Sequence, residues 1–225
     1  MISARTFAEQ TSIWASIAPT LDRVARWCNG GLVPLGNAIP PASRQERRAI
    51  IAETAFQMVA SGQRDVASAA MGMSEADARA FLRTLSSSTS QDEALSLEEW
   101  AEVGGLASVS YRYLDSLGAP AYSPLIRGCG VVDAAYADVL DGEHLIEVKA
   151  VSRGVRTGDL RQLLTYAAML YASGVTVEKL TWLNPRRARY WTHPLSAIAY
   201  GASGAPAAGL LQDIVNLMME LQVSA

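Results

Sequence analysis

Three side chains suited to phosphodiester chemistry stand close together in the sequence: Asp138, Glu147 nine residues later, and Lys149 two residues after that. Residues two apart in a strand point to the same face, so Glu147 and Lys149 share one. The turn residues Asp141 and Gly142 predict a β-hairpin, which folds Asp138 back across from that segment. Two carboxylates and an ammonium then converge. Two carboxylates, a main-chain carbonyl such as that of Val148, water and a substrate phosphate suit a hard cation such as Mg2+ or Mn2+. Such an ion polarises a phosphodiester, stabilises the leaving oxygen and delivers a nucleophilic water. Lys149 would orient or activate that water and offset charge in the transition state.

An alternation such as LIEVK also describes any half-exposed strand. Three further features favour the chemical reading. Ile146 and Val148 flank Glu147, so the acid lies in an apolar strand, where a carboxylate needs a reason. Of the 19 basic residues 17 are arginine, and Lys149 is one of only two lysines; arginine cannot replace a compact ammonium beside a reacting group. The following helix carries Gln162 and Tyr166 at i and i+4, on one face, with Arg161 beside them.

The elements that must position these residues follow from periodicity and turn chemistry. Residues 1 to about 85 read as helices, in TSIWASIAPTLDRVARW and SRQERRAIIAETAFQMVASG, with Ser43 and Glu46 as a capping box and a helix-turn-helix-like hairpin over 64–85 turning at Gly72. A plain helical hairpin explains that last segment as well, since Arg79 and Arg83 alone make no basic recognition face. The polar stretch SSSTSQDEA is the linker candidate, dividing an N-terminal helical region, 1–95, from a core, 96–225. A long helix is predicted from Ser96, capped with Glu99 and ended by Gly118 and Pro120. SPLIRGCGVVDAAYADVL and HLIEVKAV form the hairpin, and Asp159 caps a helix with Gln162 in the capping-box position. KLTWLN and ARYWTH are two more strands around the turn NPRR; Tyr190 to Gln212 reads as a strand end and a loop, before an amphipathic closing helix. The result is a mixed α/β core.

With these motifs in order, residues 97 to 192 resemble the PD-(D/E)xK nuclease superfamily, in its RecB-like branch with a Gln-x3-Tyr motif, through ADVLDGEHLIEVKA and DLRQLLTYAAMLY. The resemblance implies a restriction-endonuclease-like core, a mixed central sheet flanked by helices, hydrolysing DNA to 5'-phosphate and 3'-hydroxyl ends. It implies Asp138 and Glu147 as metal ligands, Lys149 as the catalytic lysine, and Gln162 and Tyr166 as residues that buttress the site and approach the DNA backbone. A helix cap and a core tyrosine explain that last pair equally simply. An additional acid on the preceding helix would be Glu98, Glu99 or Glu102, with Glu102 the candidate because Glu99 already caps. No proline precedes Asp138, and Asp133 is a rival ligand on the opposite face of a regular strand. His144, at the turn, reads as a solvated loop histidine.

Composition and charge exclude other classes. The chain has 225 residues, 50% hydrophobic and 18% charged, with net charge -3, which fits neither a disordered chain nor a disulfide scaffold. Cys28 and Cys129 lack zinc-ligand spacing with each other or with His144 and His193. No secretory signal or membrane span is visible, so a soluble cytoplasmic protein is expected. Residues 120 to 200 hold nine basic and seven acidic side chains, against ten and fifteen elsewhere. Arg153, Arg156 and Arg161 are the candidate DNA contacts, with Arg186, Arg187 and Arg189 in the later turn. Trp182, Tyr190 and Trp191 could stack on bases or fill the core. The rival reading is a non-catalytic nucleic-acid-binding or assembly subunit of the same fold, with a protein partner or a homodimer through the closing helix. A role in DNA processing, repair or defence against phage would suit a small nuclease of this kind.

Overall fold

A computed structural model describes residues 1–70, 74–85 and 93–223. Three helices open the chain, α1 (Ala4–Glu9), α2 (Thr11–Ile17) and α3 (Leu21–Gly30), followed by the short strand β1 (Val33–Pro34). Next come α4 (Arg48–Ala60), α5 (Val66–Ala70), α6 (Ser74–Leu85) and α7 (Leu97–Leu114). The strands β2 (Ala121–Tyr122), β3 (Leu125–Ile126), β4 (Ala135–Tyr136), β5 (Val139–Asp141) and β6 (His144–Val148) lead to α8 (Thr157–Ala172). The chain closes with β7 (Lys179–Asn184), β8 (Arg189–Pro194), α9 (Leu195–Ser203) and α10 (Ala207–Val223).

Six strands form one mixed sheet in the order β1-β8-β7-β6-β5-β2. β6 and β7 are its parallel pair, joined by the crossover helix α8, and every other neighbouring pair is antiparallel. Alternating strand residues feed two cores. Leu145, Leu180, Trp182 and Trp191 face α1 to α3 and α8 to α10, while Val139, Ile146 and Leu183 face α4 and α7. Residues 1 to 95 are tied to the rest: β1 pairs with β8, and α1 and α3 pack on α8. Among the described residues no helix is long and apolar enough to cross a membrane.

Several elements differ from the sequence-based expectation, each for a local reason. Pro19 lies between α2 and α3, so TSIWASIAPTLDRVARW is two helices. Ser43 does not cap α4, which is entered through a 3-10 turn at Gln45–Arg47; the Ser43 N–H instead donates to Glu102. Ser96 and Glu99 do form the expected capping box, but α7 ends at Leu114, short of Gly118. The segment SPLIRGCGVVDAAYADVL, expected as the first arm of the hairpin, is divided into β3, β4 and β5 because Cys129 and Val132 pair across a tight turn. Gly130 makes that turn at φ +54, where a Cβ would strike the Met218 backbone. Asp159 is the third residue of α8, accepting from the Arg156 N–H, and the expected loop after Tyr190 contains α9. The Gly72 turn and most of the linker candidate lie outside the described residues.

One buried ion pair fastens the turn between β7 and β8. Arg186 and Glu102 meet at 2.6 Å, their side chains 3% and 1% exposed. Glu102 also accepts from the Ala42 and Ser43 N–H groups, and Arg186 Nε donates to the Ala150 carbonyl. Removing one partner strands the other charge, whereas removing both does not. Arg186→Met should therefore cost about 3–5 kcal/mol in urea unfolding, and adding Glu102→Leu should recover more than half of that. Additive losses would contradict the pairing.

Candidate active site

The hairpin is the frame of the site. Val139 pairs with Ile146, Leu140 with Leu145 and Asp141 with His144, and Gly142 turns with φ +59. The same register carried one residue further sets Asp138 across from Glu147. Asp138 Oδ2 accepts from the Val148 N–H at 2.6 Å, which fixes its carboxylate against the end of β6. Ser123, itself at φ +47, donates its N–H to the Asp138 carbonyl and pins the backbone from the other side.

Glu147 and Lys149 emerge on the face toward α8. Glu147 is 2% exposed, and Lys149 Nζ lies 2.5 Å from its Oε1. The ammonium also donates to Gln162 Oε1 at 3.0 Å, and Gln162 Nε2 donates to the Tyr166 hydroxyl at 3.0 Å. Glu147, Lys149, Gln162 and Tyr166 thus form one continuous chain, while Asp138 is held across the hairpin by the Val148 N–H. Gln162 serves the lysine and not the helix end, so its expected capping role is replaced.

The electrostatics follow from burial and crowding. Burial first, and the charge of Glu147 second, push the Asp138 carboxyl well above the usual range, against the opposing pull of Lys149 and the Val148 N–H. Burial works against the Lys149 ammonium, but Glu147 and Asp138 outweigh it and raise its pKa. Burial raises the Tyr166 hydroxyl, with Glu147 adding to the effect. Lys149 is therefore a cation and Tyr166 a neutral hydroxyl.

A cavity of about 100 Å3 borders Asp138 and Val148, lined also by Glu53, Phe56, Ser110 and Pro185. It has room for a few waters or an ion. Glu53 was missed by the sequence reading, which sought the extra acid on the helix before the hairpin. Burial raises its carboxyl, and Gln57 donates to it at 2.8 Å. The available signal was a lone acid in the apolar run AIIAETAFQMV of α4. Glu102 is not in that lining, being held by Arg186.

Arg153 is committed to Asp159 through both terminal nitrogens, at 2.5 and 2.8 Å. Arg156 is exposed at the start of α8. Arg161 is half-buried, its Nε without a hydrogen-bond partner, and burial lowers its pKa. Trp182 and Trp191 are core residues and cannot stack on a base. Half-buried His144 is not a solvated loop residue; its Nε2 bonds Thr181 Oγ1 at 2.7 Å. Asp133 spends its N–H on the Ile2 carbonyl, in the loop before β4.

Protein-family models and curated proteins give no match to the sequence. The chemistry therefore rests on the geometry itself. Among the described residues no three of His, Cys, Asp and Glu gather into a ready-made metal group. The donor set nonetheless fits a hard cation that keeps much of its water: all oxygen, with two carboxylates, of which Asp138 is raised by burial first and by the charge of Glu147 second.

The raised Asp138 carboxyl yields a stability prediction. Because the folded-state pKa of Asp138 is raised, the folded protein holds its proton more tightly than the unfolded chain does. Stability is then lost as pH rises from the ordinary aspartate value, about 3.9, through the raised value. Asp138→Asn should melt at higher temperature than wild type at neutral pH in EDTA, the gap closing toward about pH 4. A lower melting temperature for the variant at neutral pH would contradict the raised Asp138 carboxyl.

Proposed function

We propose that the chain is a divalent-metal-dependent nuclease of the PD-(D/E)xK type, with a restriction-endonuclease-like core, hydrolysing phosphodiester bonds in DNA. The observation that carries this reading is the placement of Lys149 between Glu147 and Gln162, at the hairpin end that also holds Asp138. A structural salt bridge needs no second carboxylate crowded beside it. Crowding two acids at a cost in stability is characteristic of sites that hold cations or move protons.

Asp138, Glu147 and the Val148 carbonyl would hold Mg2+ or Mn2+, which when bound supplies positive charge to the phosphate and lowers the pKa of a water. Lys149, its pKa raised, keeps its proton; it orients the attacking water and offsets developing negative charge as an ammonium, and it is not the general base. Gln162 fixes the position of Nζ, and Tyr166 fixes the orientation of the Gln162 amide. Exposed Arg156 supplies a phosphate contact beside the site, with Arg161 one turn further along α8. Arg153 acts indirectly, by holding the loop that carries Arg156.

Incubation of linear and circular DNA with millimolar Mg2+ or Mn2+ should show cutting by the wild type. Lys149→Ala and Asp138→Asn should each lose on the order of 100-fold or more, the range for removing a transition-state charge partner. Gln162→Ala should lose less, because Lys149 keeps Glu147. Cutting by Lys149→Ala at the wild-type rate, or none by folded wild type with either metal, would overturn the assignment.

A further inference from the structure

Trp27, on α3, is 47% exposed, yet its ring is held in place. It lies on the His193 ring with centroids 4.0 Å apart and planes at 22°, and His193 stacks in turn on buried Trp191 at 5.4 Å. Three rings pile outward from the core, and the outermost keeps nearly half its surface in water. Beside it lies a cavity of about 540 Å3 lined by Pro19, Arg23, Trp27, Tyr200 and Ser203 among others. Tyr200 is 72% exposed. None of the described residues lining this cavity is acidic. Arg26 is paired with Asp22, while Arg23 has no ion pair among the described residues.

The same helix reaches the loop that follows Lys149. Asn29, two residues beyond Trp27, donates to the Val155 carbonyl and accepts from the Val155 N–H, both at 2.9 Å. Val155 precedes exposed Arg156 in the loop that follows Lys149. Arg187 Nη1 lies 3.3 Å from where a Cβ on Gly154 would stand. A braced aromatic face, an unpaired arginine and further arginines toward the active site meet the two requirements of a single strand: flat surfaces for bases and cations for phosphates.

We propose that the Trp27–Tyr200 cavity receives a base of a single DNA strand, whose phosphates pass Arg23 and continue over Arg187 and Arg156 toward Lys149. The substrate class follows from the nuclease reading above, but the binding itself needs neither metal nor Lys149. The test is fluorescence anisotropy of a labelled oligo(dT) of roughly 12 nucleotides, in EDTA, with the full chain. Trp27→Ala should weaken binding roughly 5- to 150-fold, the span for one lost stacking contact, and Trp27→Phe should restore most of it. Arg23→Ala should weaken binding and reduce the salt slope by about one. Wild-type affinity in a Trp27→Ala protein with unchanged circular dichroism, or no oligonucleotide binding by wild type, overturns the proposal. So does concentration-dependent self-association that Trp27→Ala abolishes, since a second copy would then cover the cavity. If binding behaves as expected but wild type cuts no DNA with metal, the nuclease reading fails and the strand site stands. If cutting is normal and Trp27→Ala binds normally, the strand site fails alone.

Discussion

The structure turns on the antiparallel register of β5 and β6, which brings Asp138 and Glu147 to opposite positions at one end of a hairpin. Two carboxylates in a poorly hydrated place repel, and the raised Asp138 carboxyl records that cost. Lys149 relieves part of it by sitting against Glu147, and the Val148 N–H relieves another part at Asp138. A two-residue slip of register would separate the acids; a one-residue slip would turn Glu147 to the other face.

Much of the surrounding protein keeps Lys149 at that place. The segment after it has no regular structure, so its carbonyls need partners, and side chains from three elements supply them. Arg186 takes Ala150, Asn184 takes Val151 and Arg153, and Asn29 takes Val155. Arg186 is itself held by Glu102 from α7. The helical N-terminal part thus supports this region from two sides: Asn29 of α3 holds the loop after Lys149, and Glu53 of α4 borders the cavity beside Asp138.

What could be read from the sequence was what depends on near neighbours. The turn at Asp141 and Gly142 fixes the hairpin, the i,i+2 spacing puts Glu147 with Lys149, and the i,i+4 spacing puts Gln162 with Tyr166; each is local, and each holds. The mixed sheet with flanking helices follows from the order of those elements. What could not be read depends on residues far apart in the chain. Glu53 meets the cavity from 85 positions before Asp138, and Glu102 is consumed by Arg186 from 84 positions after it, as their numbering shows. Strand aromatics were ambiguous for the same reason: whether Trp182 and Trp191 face water or core is decided by which helices cover the sheet. Ser43 resembles a cap by local spacing, but α4 starts at Arg48 after a 3-10 turn, and the distant Glu102 takes the Ser43 N–H that Glu46 would take in a capping box.

Calorimetric titration of Mn2+ into the full chain and into Glu147→Gln tests the proposed cation site at this hairpin end. One site per chain, lost in the folded variant, is the predicted result. Equal Mn2+ binding by both proteins would contradict it, because the two opposed carboxylates would then have no part in holding the ion.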